Sequence, residues 1–338
     1  MKAVVWMGEK PGFQLKEIPI PEPKPGEVLI KVRYCGISGT DLHLIESGRL
    51  KPGTILGHEL TGKITQLGAK VNNLKEDDWV AVRPYVPCGN CPACLGGRPN
   101  ICSTGIENAI GFGKSPGGFA EYLVVKKEQV WKLGKGVSAR EGALAEPLAS
   151  AVRAVKQSGA KIGDSALVIG GGPMGALVGI ALKWAGVHKV VISEPVLRRR
   201  NIIKNLRVGE VADPEKINIL KFFDDLPWKQ PMLVFECAGE KGTLEQALEL
   251  CAPGGRVVMV GLSWEPTVIN SLVCLSKELE LIASFSYYQE FEVALDIIAS
   301  DSFEFHSLIT SIISLEEINS GIERLNYPSS EMKLLVQI

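Results

Sequence analysis

The sequence predicts an α/β protein of two domains, one β-rich and one a doubly wound parallel sheet covered by helices. Three observations predict it. At 338 residues the chain exceeds one ordinary domain. Residues 1 to about 147 read as short β segments separated by Gly and Pro. Beyond Ala149 strands and helices alternate, the pattern of a parallel sheet with helical crossovers.

Taken in order, the clearest strands of the first part are 27–34 (EVLIKVRY), 59–66 (ELTGKITQ) and 78–83 (DWVAVR). The run SAVRAVKQSGAK at 150–161 predicts a helix, which leads into a strand at 165–170. Further strands follow at 189–193, 232–236, 255–260 and 280–283. After Tyr287 a helix at 290–300 and a strand at 333–338 return to the first domain. The expected domains are therefore 1–148 with 288–338, and 149–287. No internal repeat or low-complexity segment interrupts them.

Composition excludes several classes of function. Apolar residues make up 46% and charged residues 22%, as in a globular protein with ample core. A net charge of −1 gives no footprint for nucleic acid or an anionic membrane. The start, MKAVVWMGEKPGFQL, reads as strand and turn rather than a signal peptide. The most apolar stretch, 166–185, is broken by three glycines and a proline, so no membrane span is expected. Cys35, Cys237, Cys251 and Cys274 lie scattered in apolar surroundings as reduced core thiols, and a cytoplasmic protein is expected.

Four other cysteines carry chemistry. Cys88, Cys91, Cys94 and Cys102 fall within CGNCPACLGGRPNIC, where two short spacers and one longer reach let four thiolates converge on zinc. Gly89, Pro92, Gly96, Gly97 and Pro99 supply tight turns to this lobe, residues 86–103. Free surface thiols or two disulfides are the alternative. Four thiolates leave no open position for substrate, so this zinc is expected to be structural.

Gly170, Gly172 and Gly175 form G-x-G-x-x-G between a strand and a helix that starts near Pro173. The first glycine allows a tight turn, the second a close approach to a pyrophosphate, and the third close helix–strand packing. The helix N-terminus directs its amides at the phosphates. Nineteen residues after Gly175, at the end of the next strand, Glu194 is placed to accept from the adenosine ribose diol. Arg198, Arg199 and Arg200 follow, so NADP stays open, but Glu194 would repel its 2′-phosphate and NAD is favoured. A second set of polar residues comprises YCGISGTDLH at 34–43, then His58-Glu59, then Glu146 in AEPLAS. Spacing alone leaves these open between a metal site and ordinary core and surface roles.

Together GISGTDLH, GHE, the four-cysteine lobe, EPL and GGGPMG with Glu194 resemble, over the whole length, the medium-chain, zinc-type alcohol dehydrogenases. The nearest branch contains sorbitol, butanediol and threonine dehydrogenases. The resemblance implies a GroES-like catalytic domain, a Rossmann domain, and an active site in the cleft between them. It implies an NAD(P)-dependent enzyme acting on CH–OH, in which zinc polarises the substrate oxygen while nicotinamide takes the hydride. His58 and Glu59 match metal ligands, and Glu146 a carboxylate on the metal or its water. Thr40 matches the hydroxyl that takes the alcohol proton, His43 the histidine that passes it on, and Asp41 a residue orienting this relay. Pro173, Met174, Arg199, Val260, Gly261, Leu262, Ser284 and Phe285 complete the expected cofactor contacts. Glu46, Phe112, Phe119, Phe285 and Tyr287 are expected to face the cleft, and relatives in this branch are commonly homo-oligomers, dimers or tetramers.

One position departs. Where the family carries its thiolate ligand, this chain has Ser38, and Cys35 belongs to a neighbouring site expected to point toward the core. A serine hydroxyl is a far poorer zinc ligand than a thiolate. Three outcomes are open: a weakened site of His58, Glu59 and Glu146 with Ser38 near or on the metal, a metal-free site using Thr40, or lost activity. An alcohol dehydrogenase or ketone reductase for a secondary alcohol or diol is the expected function. A non-catalytic dinucleotide-binding protein is its rival.

Overall fold

Alternation of apolar and polar residues lays down the first sheet. The computed structural model describes residues 1–264, 266–325 and 331–338. Strands β1 (Lys2–Trp6) and β2 (Phe13–Glu17) form an antiparallel ribbon. In β3 (Glu27–Gly36), Val28, Ile30 and Val32 point into a core shared with Leu60 and Ile64 of β4 (Glu59–Leu67) and Val80 and Val82 of β5 (Trp79–Val82). Each such side chain contributes about 1.5–3 kcal/mol by leaving water. Strands β6 (Tyr122–Lys126) and β7 (Val130–Lys132) pair with β3 and β5.

The second unit is a six-stranded, all-parallel sheet. Its strands are β8 (Ser165–Ile169), β9 (Lys189–Ser193), β10 (Glu210–Ala212), β11 (Leu233–Glu236), β12 (Arg256–Met259) and β13 (Glu280–Ala283). They lie in the order β10-β9-β8-β11-β12-β13. The switch at β8 places two crossovers on opposite sides of the central strand, the doubly wound arrangement that binds dinucleotides. All five residues of β8 are buried, as a central parallel strand requires. The chain then returns to the first unit with β14 (Ile309–Ile313) and β15 (Lys333–Gln337), the latter antiparallel to β3.

The units comprise Met1–Glu146, Ala294–Asp301 and Ile309–Ile338 on one side, and Pro147–Val293 with Ser302–Leu308 on the other. The first break falls two residues before the expected 148/149 boundary, and the return lies at 294 rather than 288. The strands expected from the sequence end within two residues of those observed. β10 went unread because only three residues stand between Gly209 and Asp213. The helix expected at 150–161 spans Ala145–Ser158 instead. Pro147 falls in its first turn, where an N–H has no partner to lose, and Gly159, at φ 64°, ends it in a left-handed conformation.

Candidate metal centres and dinucleotide site

The lobe brings its four sulfurs together: Cys88, Cys91, Cys94 and Cys102 have ligand atoms within 4.8 Å of one another, and no disulfide joins them. The Cys102 sulfur accepts from the amides of Cys88 and Gly105, each at 3.3 Å. Such amide bonds hold the sulfur in place toward its neighbours. The Asn90 amide draws Cys88 down to about 6, while burial and its sulfur neighbours push Cys94 up to about 12. Thiolates so close resist ionising together, and a divalent cation removes that conflict. The donor set fits a closed tetrahedral zinc.

The second set assembles inside the same unit. His58, Glu59 and Glu146 also hold their ligand atoms within 4.8 Å of one another. Glu59 starts β4 opposite Gly36 of β3, and the glycine leaves the space its carboxylate fills: an added Cβ would lie 2.2 Å from Glu59 Oε2. Phe112 meets the His58 ring edge to face at 4.9 Å. His58 Nδ1 is buried without a hydrogen-bond partner and stands 3.6 Å from Asp41 Oδ1. One imidazole and two carboxylates within this reach fit a divalent cation.

Ser38 is spent elsewhere. It caps the helix Gly39–Glu46: its Oγ accepts from the Asp41 amide at 3.1 Å and donates to Asp41 Oδ2 at 3.1 Å, while Asp41 Oδ2 accepts from the Ser38 amide at 2.8 Å. This reciprocal cap fixes the start of the helix. Asp41 thus caps the helix that carries Thr40 and His43 through Oδ2, and its Oδ1 faces His58 Nδ1 at 3.6 Å. Cys35 is fully buried in the apolar core, its sulfur packed behind Gly57 and Gly118. Thr40 and His43 are both half-buried and share a helix face at i, i+3 spacing, with His43 Nδ1 3.5 Å from Glu46 Oε2.

One residue escaped the sequence reading. Lys333 of β15 is buried and places its ammonium on both oxygens of Glu59, 2.8 and 2.6 Å away, and 3.3 Å from the Ile37 carbonyl. The only signal was a single cation in the apolar run MKLLVQI. Two residues expected at the substrate are corrected. Phe119 is fully buried core, and so is Tyr287, which stacks on Phe291 at 5.8 Å. Phe285 is 52% exposed.

Burial alone would depress His58, but the charges of Asp41, Glu146 and Glu59 outweigh it and bring it up to about 9. In metal-free protein the stabilisation from this raised value is complete below 6.5 and is lost as pH climbs through about 9. The difference is roughly 3 kcal/mol. Urea unfolding of chelator-treated protein, compared with His58→Gln, is expected to show the gap closing above that range; a gap independent of pH would contradict it. Metal uptake must displace this proton.

In the second unit Gly170 adopts φ 90°, and Gly175 packs so closely that a Cβ would meet the Gly170 carbonyl. Gly172 is the N-cap of the helix Pro173–Trp184 and offers no side chain to its first-turn amides, including that of Met174. That end is open to a phosphate. Glu194 is buried at the end of β9, accepting from the amides of Gly171 at 2.9 Å and Val196 at 2.7 Å. It holds the glycine loop itself. Arg200 is structural, bound to Asp213 at 2.7 Å, while half-buried Arg199 reaches toward Gly172 and Arg198 is exposed. Val260 and Gly261 donate their amides to the Glu236 carbonyl at the end of β11, with Leu262 exposed beyond them. Ser284 donates its amide to the Met259 carbonyl, just past β13.

Comparison with known proteins places this geometry. Residues 24–135 match the alcohol dehydrogenase GroES-like domain, and residues 173–300 the zinc-binding dehydrogenase family. The chain is 38% identical to L-threonine 3-dehydrogenase of Pyrococcus horikoshii over 77% of its length and 76% of that protein's. It is 32% identical to 2-dehydro-3-deoxy-L-galactonate 5-dehydrogenase of Pseudoalteromonas atlantica over 100% of its length and 98% of that protein's. A zinc-binding dehydrogenase of Sinorhizobium meliloti 1021, solved with NADP bound, superposes with a TM-score of 0.90 at 31% identity, covering 100% of this chain and 99% of its own.

Proposed function

The chain belongs to the medium-chain, zinc-type alcohol dehydrogenase family, NAD(P)-dependent oxidoreductases acting on CH–OH, and from that premise we propose that it interconverts a secondary alcohol or diol and its ketone, with NAD as cofactor. The convergence of His58, Glu59 and Glu146 in the unit that also presents Thr40 and His43 carries this reading. The relatives' names point the same way, since the 3-hydroxyl of threonine and the 5-position of a sugar acid are both secondary alcohols.

When bound, the cation supplies Lewis-acid polarisation of the substrate oxygen and the nicotinamide supplies the hydride acceptor. The chain's residues handle the remaining proton. Thr40 Oγ1 accepts it from the alcohol as it gives up its own hydroxyl proton, which His43, on the same helix face, carries toward solvent, with Glu46 beside the imidazole. Asp41 holds His58, and Phe112 limits water beside that ring. In the second unit the open helix end binds the pyrophosphate, and Glu194 disfavours a 2′-phosphate while Arg199 leaves NADP a poorer second cofactor.

Turnover of a panel of secondary alcohols and diols, followed by absorbance of the reduced nicotinamide, is the test. Thr40→Val is expected to lower kcat/KM by about 10²–10⁴. NAD bound normally with no alcohol turned over would favour the non-catalytic rival. A metal-free variant of the reaction is favoured by one observation, the commitment of Ser38 to its helix cap. Activity unchanged after the second ion is stripped would select it.

The polar partner is a small alcohol or ketone. A homo-oligomer, dimer or tetramer, is proposed because β13 is an outermost strand of its sheet, with Val268, Leu272 and Leu275 exposed nearby. Among the described residues no helix is long and apolar enough to cross a membrane, and a cytoplasmic location is proposed from the reduced cysteines.

A further inference from the structure

We propose that Lys333 competes with the bound cation for Glu59 and so keeps the inner metal exchangeable, while the four-cysteine lobe holds its zinc fast. The inference rests on His58, Glu59 and Glu146 being a metal site. Its substance is a built-in rival for one of the three ligands.

Both oxygens of Glu59 already lie within 2.8 Å of the Lys333 ammonium, and the pair is buried. The ammonium is anchored by more than the carboxylate, since it also reaches the Ile37 carbonyl at 3.3 Å. Gly36 keeps clear the space in which the pair meets. A cation entering between His58, Glu59 and Glu146 must therefore draw charge from a carboxylate already neutralised, and must sit near a second positive charge. In water two such charges would be screened; in a buried site they are not. The usual compensation is also missing, because Ser38 is a neutral hydroxyl tied to Asp41. Counting formal charges, a divalent ion with Glu59 and Glu146 is neutral, Lys333 adds +1, and buried Asp41 beside His58 offsets it only at one remove from the ligands. The remaining donors are one imidazole and two carboxylates, a harder set than the four thiolates of the lobe. The two sites of one chain thus differ in both softness and charge.

The test is metal retention, read independently of turnover. Intact protein is dialysed against a chelator, the ions remaining are counted by mass spectrometry, and the affinity of the emptied site is measured with Zn²⁺ and Co²⁺ against a chromophoric chelator. Wild type is expected to keep one zinc and release the inner ion. Lys333→Met removes the competitor and is expected to bind the inner ion at least tenfold more tightly, about one 1.4 kcal/mol step. Lys333→Arg, which restores the cation, is expected to return to wild-type affinity. Because Lys333→Met buries an unpaired carboxylate in the metal-free state, retention of the lobe zinc and of native tryptophan fluorescence serves as the folding control. If that variant does not fold, Lys333→Gln is read in its place. Inner-site affinity equal to or weaker than wild type in the folded variant overturns the role of Lys333 and leaves the metal site standing. No second ion in wild type, Lys333→Met or Ser38→Cys overturns the metal site itself, and this inference with it.

Discussion

Gly36→Ala is expected to abolish activity and to destabilise the first unit by about 3–5 kcal/mol, the cost of breaking a buried ion pair by displacing one partner. The reason is steric rather than conformational, since Gly36 is not among the glycines at positive φ. A Cβ there would stand 2.2 Å from Glu59 Oε2 and 3.3 Å from Glu59 Cβ and Cδ. Glu59 has nowhere to retreat, being 2% exposed and held by Lys333. The carboxylate must leave both its counter-ion and the group it forms with His58 and Glu146. Urea midpoints and kcat/KM measure the two halves of the effect. A variant that unfolds at the wild-type midpoint and turns over normally would show that the gap at Gly36 is not what seats Glu59.

Removal of the lobe zinc is the second large effect. Cys102→Ser is expected to lose one zinc equivalent and the order of residues 86–103, with rapid thermolysin cleavage at Leu95 or Ile101. The lobe has little else to hold it: Leu95 is 76% exposed and its helices span only Pro92–Leu95, Pro99–Ile101 and Ser103–Glu107. Zinc bound by four thiolates in small folds is worth about 10–16 kcal/mol, most of it folding free energy. The parallel-sheet unit has its own core, including Leu167, Val191, Val234 and Val257, and is expected to keep binding dinucleotide. Zinc counting, proteolysis and cofactor titration separate these outcomes. A Cys102→Ser chain that retains full zinc and resists thermolysin would contradict them.

Features written in local spacing were legible in the sequence. The four cysteines need only short loops to converge, and the glycine motif needs only a strand before it and a helix after. Ser38 was legible as an anomaly, but its cap went unread although S-G-T-D places an acid three residues beyond a serine. Other features depend on contacts that no window contains. Lys333 reads as one charge in an apolar strand until β15 is laid against β3. Phe119 and Tyr287 were misplaced because an aromatic near a site and an aromatic in the core look alike in sequence. The approach of Asp41 to His58 went unread for a similar reason. Its helix position was clear, but the approach of His58, the residue before β4, was not.

The pairing of Glu59 with Lys333 also bears on how the chain is made. The two residues are 274 positions apart, and the whole parallel-sheet unit is synthesised between them. At ribosomal speeds of about 5–20 residues per second, that interval is roughly 14–55 s. Throughout it the emerging first unit carries a carboxylate with no lysine to meet it, and β3 has one edge without β15. The Glu59–Lys333 pair, unlike the set of His58, Glu59 and Glu146, can therefore form only when the last strand arrives.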